Sequence, residues 1–435
     1  MFTKRTRLSA TVLTIGLLAT ACGSPVADDN SGGDVSSEAE AAAKALGIDL
    51  SQCPTDVTQP LGKTVKVGNT MPLTGPVAPA LGVIGPGLKA AFDNFNKTSG
   101  LDTTFQLVSE DDAFTPDKAL TSTQTLLDKD DIDLMTTVIA TAQVVAVRGI
   151  LGEECVPFLP GVSGGASAND PADYPWTAVF SQPSALDSRI MMADITANHP
   201  DGAKVAVLYS NTESGKDYLD ALKKYAGKNQ IVKTETIEAT ETAAPSSQIT
   251  TLRSSGADTL IAIPTSAQCA STMQEAANQG WDVPSYITST CSSATFDVAG
   301  QAADGWHITT YVKDPSRGEG AKDPAVLEAV DLLHKSSPDT PINNTSLGGF
   351  LYSQPLFEAI KEAADSPLGL SRLGIMSAFS TLDFQPALLK DGVRFKLDGL
   401  EDHEAMEASY MSVYDAKSKT FTDSDLYDFE GQMGD

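Results

Sequence analysis

From Thr64 onward, short apolar runs alternate with helical periods, and the first pair sets the pattern. Thr64-Val65-Lys66-Val67-Gly68 alternates in the β-branched manner of a strand. After the turn Pro72-Leu73-Thr74-Gly75, the residues Leu88, Ala91, Phe92 and Phe95 recur at i, i+3, i+4 and i+7, one face of a helix. Pro86 suits the first turn of that helix and Gly100 its C-terminal cap. The same reading predicts strands over 64–70, 103–109, 134–139, 156–160, 204–210, 230–237, 258–264 and 285–290. Helices fall between them, near 80–98, 116–129, 142–153, 184–198, 214–228, 246–255 and 267–280, with Thr115-Pro116 as one cap and first turn. Beyond Tyr311 the pattern loosens. One helix is expected near 325–335, one over 349–364 and one over 371–379, with closing strands around Phe395, Tyr410 and Tyr414.

Alternation of this kind predicts an α/β fold, with helices on both faces of parallel sheets. Right-handed crossovers then bring every strand-to-helix loop to one edge of its sheet. Pro72–Gly75, Asp111-Asp112, Thr141-Ala142-Gln143 and Pro160–Gly164 gather on one such edge, and Ser210–Gly215, Pro264–Gln268 and Thr288–Ser293 on another. Two facing edges make a cleft, with Phe180–Pro183 and Asp304–Ile308 as crossings between the lobes. The Pro72–Gly75 turn, with the Thr74 hydroxyl and free N–H groups feeding a helix, is a candidate half-site for a small anion or dipole. The alternative is an ordinary connection.

The N-terminus is not part of this pattern. Lys4, Arg5 and Arg7 precede an apolar run from Leu8 to Leu18, which reads as a signal peptide over residues 1–21. Ala19-Thr20-Ala21-Cys22 resembles a bacterial lipobox, in which Cys22 is lipidated; cleavage after an A-x-A site is the plainer alternative. The lipoprotein reading is preferred, and it implies attachment to the outer face of the cell membrane through the lipid only. Residues 22–60 are expected to be a spacer, since Gly23 to Glu40 is rich in Asp, Ser, Gly and Glu. The roughly 370 residues that follow exceed one comfortable core, so two lobes are expected. A net charge of −27 argues against nucleic acid or an anionic membrane surface as a partner. Cys53, Cys155, Cys269 and Cys291 form an even set that suits disulfides in an exported protein, and spacing leaves all three connectivities open.

The order of motifs carries a resemblance. Pro72-Leu73-Thr74-Gly75, Asp111-Asp112 ahead of Pro116, Val156-Pro157-Phe158-Leu159-Pro160, Phe180-Ser181-Gln182-Pro183-Ser184, Lys204-Val205-Ala206-Val207-Leu208-Tyr209 and Gly348-Gly349-Phe350-Leu351-Tyr352 follow one another over residues 62–415. The chain thus resembles the type I periplasmic binding proteins, in particular the branched-chain amino acid (Leu/Ile/Val-type) substrate-binding components of ABC importers. The resemblance implies two Rossmann-like lobes, joined by three hinge crossings, that close on a ligand. The lobes would comprise 61–180 plus about 306–385, and 181–305 plus about 386–435. It places ligand contacts at Thr141, Ala142 and Gln143, where a helix N-terminus suits a carboxylate, and at Gly161, Val162 and Ser163. Second-lobe contacts would fall at Ser214, Thr265, Ser266, Thr290 and Cys291. Two departures stand out: Ser214 replaces the usual aromatic before the Gly, and the place of an ammonium-holding acid falls at about Cys291. An amino acid, a carboxylate or an amide therefore all remain open as ligand. The family-like placement sets Cys269 and Cys291 on neighbouring loops and implies a Cys269–Cys291 disulfide, with Cys53–Cys155 as the remaining pair.

Other chemistry weighs less. Gly161-Val162-Ser163-Gly164-Gly165 satisfies G-x-S-x-G, but a hydrolase elbow must turn straight into a helix, and Ala166 to Pro175 reads as loop. None of His199, His307, His334 and His403 carries a supporting motif. Asp111-Asp112 suits a helix cap better than a metal pair, and no zinc spacing exists. Ser214-Gly215-Lys216 lacks the flanking residues of a P-loop. Trp176, Trp281 and Trp306 are too dispersed for a sugar platform. The reading is a monomeric, non-enzymatic solute-binding lipoprotein without cofactor or metal, delivering a small polar ligand to ABC permease subunits. A ligand sensor of the same fold, coupled to a signalling partner, is the main rival, and a serine hydrolase using Ser163 the other.

Overall fold

The computed structural model describes residues 31–433, with side chains from residue 37. The signal segment and Cys22 lie outside the described residues. The first lobe contains α1 (Ser31–Leu46), β1 (Thr64–Met71), α2 (Ala78–Leu81), α3 (Ile84–Thr98), β2 (Thr104–Asp111), α4 (Pro116–Thr125), β3 (Leu134–Met135), α5 (Thr141–Glu153), β4 (Phe158–Gly161) and β5 (Thr177–Val179). Its strands lie in the order β2-β1-β3-β4-β5, every neighbouring pair parallel. The second lobe follows with α6 (Ser184–Asn198), β6 (Lys204–Ser210), α7 (Glu213–Lys224), β7 (Gln230–Ile237), α8 (Ser246–Arg253), β8 (Thr259–Ile263), α9 (Cys269–Asn278), β9 (Ser285–Ile287), α10 (Ser293–Ala299) and β10 (His307–Thr310).

The chain then returns to the first lobe as α11 (Pro324–Ser336), α12 (Asn344–Asp365), α13 (Arg372–Phe379) and the paired β11 (Asp383–Phe384) and β12 (Phe395–Lys396). It ends in the second lobe with β13 (Ala408–Asp415) and β14 (Thr420–Asp428), which extend that sheet to the order β14-β13-β10-β9-β8-β6-β7. Both additions are antiparallel. Three segments therefore join the lobes: residues 180–183, the exit of β10, and the stretch between β12 and β13.

The expected stripe on α3 is its core face: Leu88, Ala91, Phe92 and Phe95 are all buried. Phe357 of α12 stacks on Phe95 at 4.2 Å and meets Phe92 edge-on at 5.0 Å. The helices approach closely because glycines face each other. A methyl on Gly349 would lie 2.1 Å from the Leu88 amide nitrogen, and one on Gly87 would lie 2.2 Å from the Ser346 carbonyl oxygen.

Four sequence expectations change. Of 134–139 only Leu134–Met135 pairs as strand, because Thr137 (φ 50°) and Ala140 (φ 88°) turn the chain out of extended conformation. β5 lies where the sequence pattern predicts no strand, and β10 where it predicts only a crossing. The spacer also ends sooner than residue 60. α1 is alanine-rich in its second half, which favours helix, and Ala39, Ala43, Leu46, Ile48 and Val57 are buried in the first-lobe core. The Leu61 amide donates to the Leu370 carbonyl, and Leu373 donates to Val57.

Both disulfides take the pairing implied by the resemblance. Cys53–Cys155 closes 102 positions and fastens the N-terminal segment to the first lobe; Cys269–Cys291 closes 22 within the second.

Candidate functional site

The first-lobe loops that follow β3 and β4 come together at two hydroxyls. Ala140, in its positive-φ turn, sets Thr141 at the start of α5, and Thr141 Oγ1 lies 3.0 Å from Ser163 Oγ. Both side chains are buried, and the Gly165 amide donates to Ser163 Oγ at 3.1 Å. Ala142 and Gln143 continue the first turn of α5, Gln143 being buried. Gly161 ends β4, and Val162 bridges to Ile139 and so holds the two loops side by side.

The second lobe meets this pair through a residue that sequence reasoning missed. Asp217, in the first turns of α7, accepts a hydrogen bond from Ser167 Oγ of the first lobe at 3.1 Å. A methyl built on Gly165 would sit 2.5 Å from Asp217 Oδ2 and 2.6 Å from Thr141 Oγ1. Only glycine allows the carboxylate and hydroxyl to come so close. Burial pushes the Asp217 carboxyl up, Ser167 opposes that, and Glu213 and Asp220 add to it. The available signal was spacing: Asp217 follows the expected Ser214 by three, on the same helix face.

The other expected second-lobe positions form their own group. Ser266 Oγ donates to the Thr290 carbonyl at 3.2 Å, while the Thr265 hydroxyl and amide both donate to Gln268 Oε1 in a capping box. Ser214 is half-buried in the first turn of α7. Cys291 is buried, with its sulfur bonded to Cys269.

The expectation of free N–H groups at the Thr74 turn is corrected. The turn's N–H groups are not free, because Asp111 accepts from the Leu73 amide (3.0 Å), the Thr74 amide (3.1 Å), the Thr74 hydroxyl (2.6 Å) and the Ala113 amide (2.9 Å). Burial alone would raise the Asp111 carboxyl, but these donors hold it well below the ordinary value. Asp111 therefore supplies the anion that the turn was expected to attract.

No nucleophile elbow forms at Ser163. The chain runs on through Gly164 and Gly165 into a three-residue 3₁₀ turn, Ala166–Ala168, rather than into an α-helix. His307 lies with its ring stacked on Tyr286 at 4.5 Å, and His403 uses its carbonyl to accept from Asn169.

A cavity of about 10 Å³, room for one water at most, is lined by Ser163, Ser181, Ser184, Asn169 and Glu404. Burial pushes Glu404 up to about 7; Asn169 opposes this, and Glu407 and Asp402 reinforce it. Glu407, chiefly by burial, is likewise near 7. Asp402, Glu407 and Glu430 approach one another within 4.8 Å, yet Glu407 already accepts the Gly431 and Met433 amides and Glu430 pairs with Lys396.

Over residues 64–419 the chain matches the family described as periplasmic binding protein. A Leu/Ile/Val-binding protein homolog 7 from Brucella suis is 22% identical over 383 residues, covering 83% of this chain and 92% of that protein. Among solved structures, a fatty acid ABC transporter substrate-binding protein from Thermomonospora curvata has a TM-score of 0.74 at 19% identity, covering 88% of this chain and 97% of the other. A branched chain amino acid ABC transporter protein from Thermus thermophilus, with bound valine, has a TM-score of 0.73 at 16% identity, covering 84% and 96%. At such identities the structural likeness speaks to the fold.

Proposed function

This chain belongs to the periplasmic binding protein family, and from that premise we propose that it is the extracytoplasmic, solute-binding component of an ABC importer. It is anchored by a lipid on Cys22, acts as a monomer and carries one small polar ligand to permease subunits. The relatives' ligands, valine in one and fatty acid in another, are too different to name this one. The observation that carries the reading is the meeting of Thr141 and Ser163 with Asp217 around Gly165, one hydroxyl pair from the first lobe and one carboxylate from the second. Hydroxyls at a helix start suit a ligand oxygen, and the carboxylate suits an N–H donor such as an ammonium or amide. No bond is made or broken. A ligand touching both lobes favours the closed form by the difference in its affinity for the two states.

The test starts with mass spectrometry of whatever small molecule co-purifies with the native protein, followed by titration of that compound. Thr141→Ala with Ser163→Ala should weaken its binding at least tenfold, roughly 1.4 kcal/mol or more, while the unliganded protein unfolds nearly as before. Wild-type affinity in the double variant would refute the site.

A further inference from the structure

Asp187, in the first turn of α6, is fully buried and lies outside the ligand loops. Every donor around it points inward. Thr309 Oγ1 donates to its Oδ1 at 2.6 Å, while the Tyr218 hydroxyl (2.8 Å) and the Ser289 amide (3.0 Å) donate to its Oδ2. Thr288 Oγ1 in turn donates to Tyr218 at 2.9 Å. On the other side the chain of bonds continues outward: Gln182 Nε2 donates to Thr309 Oγ1 at 2.6 Å, and Ser409 Oγ donates to Gln182 Oε1 at 3.0 Å. Gln182, Tyr218, Thr288, Thr309 and Ser409 are buried, and Ser289 is half-buried. Hydrogen bonds that all run one way polarise one another in a low-dielectric interior.

The placement of the members gives the network its meaning. Gln182 lies in the first crossing, Thr309 in β10 at the second, and Ser409 at the start of β13, where the third arrives. Ser289 and Thr288 belong to the loop after β9, one of the second-lobe loops that face the cleft. We propose that Asp187 is a positioning residue that clamps all three crossings to the second lobe as one rigid unit, in fixed register with the loop after β9. Bending between the lobes then takes place on the first-lobe side of the clamp, and the Ser289 loop moves with the pivot.

The experiment is hydrogen exchange, read by mass spectrometry, on the full mature protein without added ligand. Thr309→Val removes the hydroxyl that links Gln182 to Asp187. It should accelerate exchange at least tenfold in peptides holding Gln182 and Ser184, Thr309 and Thr310, Ser409 and Tyr410, and the loop at Ser289, all together. Peptides of β6 and α12 should stay at wild-type rates, and Thr309→Ser should restore the wild-type pattern. Gln182→Leu leaves every donor to the Asp187 carboxylate in place, because Gln182 donates to Thr309 and not to Asp187, so it keeps the test available should the first variant fold poorly; it should loosen the Ser409 segment without loosening Ser289. Acceleration confined to the substituted segment, or spread evenly over the second lobe, would overturn the clamp. No ligand enters the measurement, so its failure would leave the proposed function standing, and failure of that function would leave the clamp intact.

Discussion

Two glutamates on the third crossing hold protons that they would lose in water. Glu404 and Glu407 both titrate near 7 in the fold against an ordinary 4.5, chiefly because burial disfavours their charged form. Between about 4.5 and 7 the native state therefore binds more protons than the unfolded chain, and stability falls as pH rises through that window. The melting temperature should accordingly drop between pH 5 and pH 7.5 in scanning calorimetry. Glu404→Gln, which keeps the shape without the charge, should flatten that drop, and an unchanged slope would show that Glu404 does not titrate there. Asp111 has the opposite sign: its donors favour the charged form, so Asp111→Asn should destabilise the Pro72–Gly75 turn at neutral pH by about 1–3 kcal/mol, seen as a lower urea midpoint.

Packing between whole elements depends on backbone approaching backbone. In Gly349→Ala the new methyl meets the Leu88 nitrogen and the Gly87 carbonyl carbon, so neither side can yield by turning a side chain. α3 and α12 must separate, at a cost of about 1–3 kcal/mol, and the melting temperature should fall by several degrees with ligand affinity little changed. An unaltered melting temperature would mean the two helices are not in contact there. At this scale the chain is most readable where an element is long enough to show its period. β6 and β7 match their expected spans because seven or eight residues carry it, β6 as a largely buried run and β7 with only Ile237 buried. β5 has three residues, too few for any period to be seen, and takes its strand form from β4 alongside. The N–H groups of the Pro72–Gly75 turn are not free, because Asp111, 37 positions from Thr74, takes them up, a separation over which local pattern says nothing. Asp217 is a related case, since its contacts with Ser167 and Gly165 lie across the cleft.

For the molecule as a whole the question is how firmly the lobes hold each other. The Ser167–Asp217 hydrogen bond crosses between them, and a bond of this kind contributes about 0.5–1.5 kcal/mol. Removing it with Ser167→Ala should shift the unliganded population toward the open form by roughly two- to tenfold. Small-angle scattering would read this as a larger radius of gyration with little change in melting temperature, and identical curves would count against the latch. The Cys53–Cys155 bridge has a mechanical consequence of its own. Whatever tugs at the amino terminus is delivered into the first lobe, through the packing of α1 and covalently just ahead of β4. If that terminus is tethered, the first lobe is the moored half of the molecule, and it is the second that swings.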